Sequence, residues 1–233
     1  MLQGQENSPI MLGTSDGIVW EGSEEMTDAP AGVPLTYRYG VFLDGQCSRR
    51  ESGTMAHIFC PSKKQKSHYI LNDTWKDLPM ASHLYSAAFS GNYSLENTPK
   101  DQCTGQGDIV FRALCPCLHH RKQILGICGR EEQLGYWNPD RAICMEEIQA
   151  NEWIATLPIK DLKFPLEFKF VAINTSTGKV EEWEMGNNRH LHINDLRKGE
   201  IFFTNEMEVQ FASMSRKVAG TAIPVFSLRS EGS

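Results

Sequence analysis

The sequence has no run of apolar residues long enough to cross a membrane, and it has fewer basic residues than acidic ones. A membrane helix needs about 18 consecutive apolar residues, and no segment of the 233 residues approaches that length. Lys and Arg number 23 against 29 Asp and Glu, so the formal net charge is −6. That sign does not favour binding of nucleic acid or of an anionic membrane by bulk electrostatics. We therefore expect neither nucleic acid nor membrane as a partner, and a neutral ligand stays open.

Two further absences bear on compartment and class. The first six residues, MLQGQE, lack the basic and apolar regions of a secretory signal. The seven cysteines are an odd number and cannot all pair within one chain, which favours reduced thiols and a cytoplasmic protein. With 40% hydrophobic and 22% charged residues, the composition excludes collagen, coiled coil and low-complexity disorder as the dominant state.

Two blocks of sequence occur twice in the same order. Residues 10–20 and 143–153 each begin with Ile and end with Trp, at an offset of 133 residues. Residues 33–39 (VPLTYRY) align with residues 164–170 (FPLEFKF) at an offset of 131. This period is much longer than the roughly 20 to 50 residues of solenoid and propeller repeats. Each copy should therefore be a domain with its own core.

The apolar pattern within the copies is short and alternating, as in Leu166, Phe168 and Phe170, which is typical of β-strands. We predict strands near 109–115, 123–128, 153–158, 166–173, 179–184 and 200–212, and near 18–21, 35–43 and 67–72 in the first copy. The expected fold is all-β, with two tandem antiparallel β-sandwich (immunoglobulin-like) domains. The first copy lacks the material of about two strands and is expected to be incomplete.

These features predict four segments. Residues 1–78 would form a truncated, degenerate domain, and residues 79–107, rich in Ser, Asn, Gly and Thr, a linker. Residues 108–214 would form a complete domain. Residues 215–233 fit neither copy and are expected to begin a further domain.

The densest cluster of ligand-binding chemistry lies in residues 168–189. Trp183 offers a flat apolar face of the kind that packs on the C–H face of a pyranose, while Lys169 and Asn188 offer polar groups for neighbouring hydroxyls. The structural alternative is that Trp183 packs on its own sandwich and Asn188 holds a turn. Composition alone favours this second interpretation.

Three motifs that follow one another along the chain decide between the sugar-binding and the structural interpretation of Trp183 and Asn188. They are LGYWNPDRAI, PLEFKF and VEEWEMGNNR. Together they resemble the starch-binding domain of carbohydrate-binding module family 20, across residues 108–211, and residues 1–75 resemble it more weakly. The resemblance implies a glucan site that uses Trp137 and Trp183, with Lys169 and Asn188 as polar partners. It implies no second glucan site here. Gly4 and Gln5 stand where the second copy has Trp137, so the first copy is expected to bind weakly or only to brace the second.

Residues 219–233 resemble the opening of the catalytic barrel of the 4-α-glucanotransferases of glycoside hydrolase family 77. The resemblance implies a cytoplasmic, non-catalytic N-terminal region that binds α-1,4-glucan, as starch, glycogen or maltooligosaccharide. The alternative from another class is a protein-interaction β-sandwich that has lost sugar binding. Exposure of Trp137 and Trp183 on one surface would favour the first hypothesis.

Other chemistry is less well supported. Cys115, Cys117 and the His119–His120 pair suggest zinc, but a second cluster of paired ligands is missing. No cofactor, metal or catalytic residue is therefore predicted. Trp20 and Trp153 lie in alternating segments, and both are predicted to be core.

We expect no glycosyl transfer or hydrolysis by these 233 residues, because no barrel and no pair of catalytic carboxylates is predicted in them. Incubation with maltotriose should leave its chain length unchanged when the products are separated by chromatography. Enzyme-dependent release of glucose or of longer oligomers by a pure sample would contradict this expectation.

Overall fold

The chain folds into short β-strands joined by turns. A computed structural model describes residues 10–25, 33, 35–51, 57–59, 61, 68–75, 107–115, 118, 122–149, 151–160, 162–193 and 199–213. The first copy contributes β1 (Leu35–Tyr37), β2 (Gly40–Leu43), β3 (Gln46–Arg50), β4 (His57–Phe59) and β5 (His68–Leu71). The second copy contributes β6 (Asp108–Leu114), β7 (Gln123–Gly129), β8 (Ile143–Cys144), β9 (Glu146–Gln149), β10 (Glu152–Pro158), β11 (Leu166–Asn174), β12 (Val180–Trp183), β13 (Arg189–Leu191) and β14 (Glu200–Glu208). In these ranges, no helix is long and apolar enough to span a membrane.

Most strands belong to two larger sheets. One sheet, here called the antiparallel sheet, has the order β12-β11-β7-β8, with β13 also paired to β11. The other has the order β5-β14-β6-β10-β9. We call it the mixed sheet, because β14 lies parallel to both β5 and β6 while β10 is antiparallel to β6 and β9. Two small pairs, β1 with β4 and β2 with β3, complete the described strands.

The main core lies between the mixed sheet and the antiparallel sheet. Phe111 of β6 and Phe168 of β11 meet edge to face, with ring centroids 5.2 Å apart. Around them pack further buried residues from both sheets, including Ile109, Leu125, Ile127, Trp153, Leu157, Leu166, Phe170 and Phe211. Two sheets that interdigitate their side chains in this way form a β-sandwich.

The outer face of the mixed sheet is covered by strands of the first copy. Val110, Ile201 and Phe203 form a second buried cluster with Phe59 of β4, against which Leu35 also packs. The ring centroids of Phe59 and Phe203 lie 5.6 Å apart. Every residue of β6 is consequently buried, because one face of the strand points into the sandwich and the other lies under the first copy.

The prediction of an all-β fold is confirmed. The strands predicted near 109–115, 123–128, 153–158 and 166–173 agree with β6, β7, β10 and β11 to within one residue. One departure is the parallel placement of β14, where antiparallel pairing was expected. The predicted linker up to residue 106, and all of residues 215–233, lie outside the described residues. The division into four segments stays a prediction.

The two tryptophans related by the repeat have opposite environments. Trp153 is 3% exposed, and its indole nitrogen donates a hydrogen bond to the carbonyl of Cys115 at 3.3 Å. Trp20 is 57% exposed, and its neighbourhood contains a single bridge, Gly13 with Glu21, instead of a strand. The core prediction is therefore confirmed for Trp153 and wrong for Trp20. The repeat of sequence does not reproduce the neighbouring strands that bury Trp153.

Trp153→Ala should lower the free energy of unfolding by about 3 to 5 kcal/mol, because it opens a large cavity in the core. The matched control is Trp20→Ala, which should change stability by less than about 0.5 kcal/mol because its side chain is exposed. Urea titration followed by circular dichroism measures both values. Equal destabilisation by the two substitutions would contradict the assignment of these environments.

Candidate functional site

The candidate site is built on the outer face of the antiparallel sheet, where β11 presents alternate side chains. Phe168 and Phe170 point into the core, so Glu167, Lys169 and Val171 point to the opposite face. Lys169 lies opposite Cys128 in the register with β7. The strand that fixes the core thus also fixes the positions of the polar groups outside it.

Trp183 is the last residue of β12 and lies opposite Val171 of β11. Its ring is half-buried and packs on a small apolar cluster that contains Cys128, Val171 and Ile173. The sheet therefore holds Trp183 in place, and the connection to β13 begins after it.

Trp137 is placed by an unusual turn. Gly135, Tyr136 and Trp137 have φ values of 85°, 53° and 59°, which is a sparsely populated region for any residue with a side chain. The backbone amide of Trp137 donates a hydrogen bond of 2.7 Å to the carbonyl of Gly129. Strained backbone of this kind persists only where its surroundings fix it, and it is concentrated at functional sites.

The turn brings Trp137 against Trp183. The centroids of the two rings are 6.2 Å apart and their planes are inclined by 42°. Both side chains are half-buried and lie on the same surface of the sandwich. The rings therefore form an angled aromatic pair from segments more than 40 residues apart in the sequence.

Lys169 does not extend toward solvent. Its ammonium group donates hydrogen bonds to the carbonyls of Glu184 and Gly186, at 3.1 and 2.7 Å. Residues 184–188, here called the bulge, connect β12 to β13, and both of these strands pair with β11. Lys169 therefore ties this bulge to the sheet, so its first role is to position the residues beside Trp183.

Glu184, the first residue of the bulge, forms an ion pair with Arg189 of β13. The Glu184 carboxylate accepts a hydrogen bond of 2.8 Å from the backbone amide of Phe170 and one of 2.9 Å from Nε of Arg189. The Glu184 side chain is 2% exposed. Both ends of the bulge are thereby fixed to the sandwich.

Asn188 lies at the exposed end of the bulge, and its amide nitrogen donates a hydrogen bond of 2.7 Å to the Glu167 carboxylate. Glu167 also forms an ion pair with Arg130. Sequence reasoning missed Glu167 and Arg130. The alternation along β11 contained a signal for Glu167, since it shares a face with Lys169.

All four predicted site residues therefore lie around one end of the antiparallel sheet. Trp137 and Trp183 are in contact, Lys169 holds the bulge next to Trp183, and Asn188 closes it. The arrangement offers two inclined apolar faces with an amide nearby. Flat apolar faces beside an amide are suited to holding a ligand.

Elsewhere in the described residues, His57, Asp73 and Glu206 place ligand-type atoms within 4.8 Å of one another. Nη2 of Arg112 lies 2.5 Å from Asp73, and its Nη1 lies 3.3 Å from Glu206. The Arg112 guanidinium thus already pairs with both carboxylates, and we assign no metal to the group. The predicted pair His119–His120 lies outside the described residues.

Comparison with known proteins gives matches to both the second copy and the whole chain. Residues 108–202 match carbohydrate-binding module family 20, described as starch binding domain. The chain is 25% identical over 240 residues to the 4-alpha-glucanotransferase DPE2 of Oryza sativa subsp. japonica. The aligned region covers 98% of this chain and 24% of that protein. The chain thus spans about a quarter of the length of that relative.

Two solved structures are also similar. The family 20 module of the maltotetraose-forming amylase from Pseudomonas saccharophila STB07 shares 19% identity over 41% of this chain and 99% of that chain, with a TM-score of 0.32. The glycoside hydrolase family 15 glucoamylase from Hypocrea jecorina shares 18% identity over 49% of this chain and 19% of that chain, with a TM-score of 0.38.

Glu184→Ala should lower the free energy of unfolding by about 3 kcal/mol, because it leaves the buried Phe170 amide without its acceptor and Arg189 without its carboxylate. Arg130→Ala is the control. It removes an ion pair in which Arg130 is 60% exposed, and the loss should not exceed about 1 kcal/mol. Urea unfolding distinguishes them, and unchanged stability of Glu184→Ala would show that the buried pair does not hold the bulge.

Proposed function

We propose that this chain, whose residues 108–202 are a starch-binding domain of carbohydrate-binding module family 20, binds α-1,4-glucan at the Trp137–Trp183 pair. The observation that carries the proposal is the contact between the two indoles, 6.2 Å apart and inclined by 42°. Planar apolar rings pack well on the C–H faces of pyranoses. Two inclined rings suit two consecutive sugars of a curved α-linked chain.

The polar groups around the rings have separate roles in this proposal. Asn188 would offer its side-chain amide to a sugar hydroxyl. The Glu167 carboxylate accepts a hydrogen bond from the amide nitrogen and orients it. Lys169 acts as a positioning residue, because its ammonium group is engaged by two carbonyls of the bulge. Loss of Lys169 would therefore weaken binding by loosening the wall of the site.

The broader role we propose is that of the non-catalytic N-terminal region of a 4-α-glucanotransferase. The similarity to the rice enzyme runs along nearly the whole of this chain and a quarter of that protein, which supports this role. Holding a glucan next to a catalytic domain raises its effective concentration there. Residues 1–78 would then be a degenerate copy of the module.

We also propose that the protein is cytoplasmic. Among the cysteines that the structure describes, Cys47, Cys128 and Cys144 carry thiols, as expected in a reducing compartment.

Burial raises the pKa of the Cys128 thiol, so it stays neutral beneath the aromatic pair. Its sulfur lies 3.5 Å from the carbonyl of Asn138, in the turn that follows Trp137.

Trp183→Ala and Trp137→Ala should each weaken glucan binding about 5-fold to 100-fold, which corresponds to about 1 to 3 kcal/mol of stacking. Lys169→Ala and Asn188→Ala should each cost about 0.5 to 1.5 kcal/mol. Affinity electrophoresis in soluble starch measures the series. Trp183→Ala should also lose about 1 to 2 kcal/mol of stability, because its ring is half-buried rather than fully buried.

The control for this series is Trp20→Ala, which removes an exposed tryptophan on a different part of the chain. It should migrate like the parent protein. If Trp137→Ala and Trp183→Ala also migrate like the parent while remaining folded, the pair does not bind glucan. A protein-interaction role for the sandwich would then take precedence.

A further inference from the structure

A cluster of charged side chains is buried between the first copy and the outer face of the mixed sheet. At its centre is His57 of β4, which is fully buried. Its Nδ1 lies 2.9 Å from the carboxylate of Glu206 on β14, and its Nε2 lies 3.0 Å from that of Glu51 after β3. A third carboxylate, that of Asp73 after β5, is 3.6 Å from Nδ1.

Hydrogen bonds from His57 to two ionised carboxylates require both of its ring nitrogens to carry a proton. A carboxylate only accepts hydrogen bonds, and a neutral imidazole can donate from one nitrogen alone. With a carboxylate oxygen at each nitrogen, only the imidazolium satisfies both contacts. His57 therefore serves as a buried cation.

Arg112 of β6 supplies the second cation. Its guanidinium bridges Asp73 and Glu206, at 2.5 and 3.3 Å, and also donates to the backbone carbonyl of Asn72 at 3.1 Å. Burial alone would lower the pKa of Arg112, but the charges of Glu206 and Asp73 outweigh it and raise the pKa. Three carboxylates against two cations leave the cluster with one net negative charge.

Two phenols complete the cluster. Tyr37 and Tyr39 both donate hydrogen bonds to the same oxygen of Asp73, at 2.6 and 2.8 Å. The Tyr37 ring also stacks on the His57 ring, with centroids 5.1 Å apart. Burial, followed by the charge of Asp73, raises the pKa of both phenols, so they remain neutral donors.

We propose that this cluster is an ionic clasp that fixes β1, β4 and β5 of the first copy onto the starch-binding sandwich, with the His57 imidazolium as its central ion. The side chains of the cluster that belong to the first copy are those of Tyr37, Tyr39, Glu51, His57 and Asp73, whereas Arg112 and Glu206 belong to the second copy. Burying such charges costs desolvation, so the clasp specifies how the first copy docks more than it adds stability. Removing one partner alone is nevertheless strongly unfavourable.

The groups that face His57 are the carboxylates of Glu51, Asp73 and Glu206, the Arg112 guanidinium and the two neutral phenols.

The clasp does not depend on the proposed glucan site. It lies on the outer face of the mixed sheet, whereas Trp137 and Trp183 lie on the antiparallel sheet. A variant that opens the clasp should therefore retain starch affinity. Failure of one proposal leaves the other standing.

The test is hydrogen exchange of the whole chain, measured by mass spectrometry on His57→Gln. Amides of β1, β4 and β5 should exchange at least about 30-fold faster than in the parent, while those of β7 and β11 stay protected. The matched control is His68→Gln. His68 also bonds a carboxylate of β14, that of Glu200 at 3.3 Å, but its side chain is 72% exposed. This variant should exchange like the parent.

Two further arms keep the test decisive. The double variant His57→Gln with Glu51→Gln should exchange more slowly than His57→Gln, because it removes one of the buried carboxylates that the loss of His57 leaves without a cation. In nitrogen-15 NMR, His57 should carry a proton on each of its two ring nitrogens. Parent-like exchange of His57→Gln, a neutral His57, or stabilisation of the parent by added zinc or calcium ions would each overturn the proposal.

Discussion

The structure depends on the alternation of side chains along β11. Phe168 and Phe170 are buried between the two sheets, and this burial fixes the register that turns Glu167 and Lys169 outward. A shift of one residue in the register would exchange the two faces of the strand. The buried residues and the outward-facing site residues of β11 are therefore placed together. The position of the aromatic pair is therefore a consequence of core packing, transmitted through Val171 opposite Trp183.

Alternation of side chains also determines what the mixed sheet contacts on each of its two faces. Its strand β6 is buried on both faces, and alternate residues face the sandwich core and the first copy. Arg112 is accommodated in this buried strand because the carboxylates of Asp73 and Glu206 lie against its guanidinium. The sandwich thus presents its aromatic pair on one sheet and a docking surface with a buried ionic cluster on the other.

The sequence was sufficient to predict the all-β fold, because the strands of the second copy alternate clearly and end at Gly, Asn or Pro. The grouping of Trp137 with Trp183 came from the motifs. The exposed Trp20 and the parallel β14 were not predictable, because both depend on which strands are neighbours in space. Lys169 was expected to face a sugar, and its bonds to Glu184 and Gly186 carbonyls follow from the bulge, which no local pattern encodes. The buried cluster around His57 was missed for a similar reason, since its members are far apart in the sequence.

The most direct test of the account is a titration of the whole chain with maltoheptaose, observed through the indole N–H resonances of its tryptophans. The account predicts that the signals of Trp137 and Trp183 shift together along one saturation curve, while that of buried Trp153 stays unchanged. Shifts confined to Trp20 or Trp75, or the absence of any shift at millimolar sugar, would contradict the claim that the aromatic pair is the glucan site.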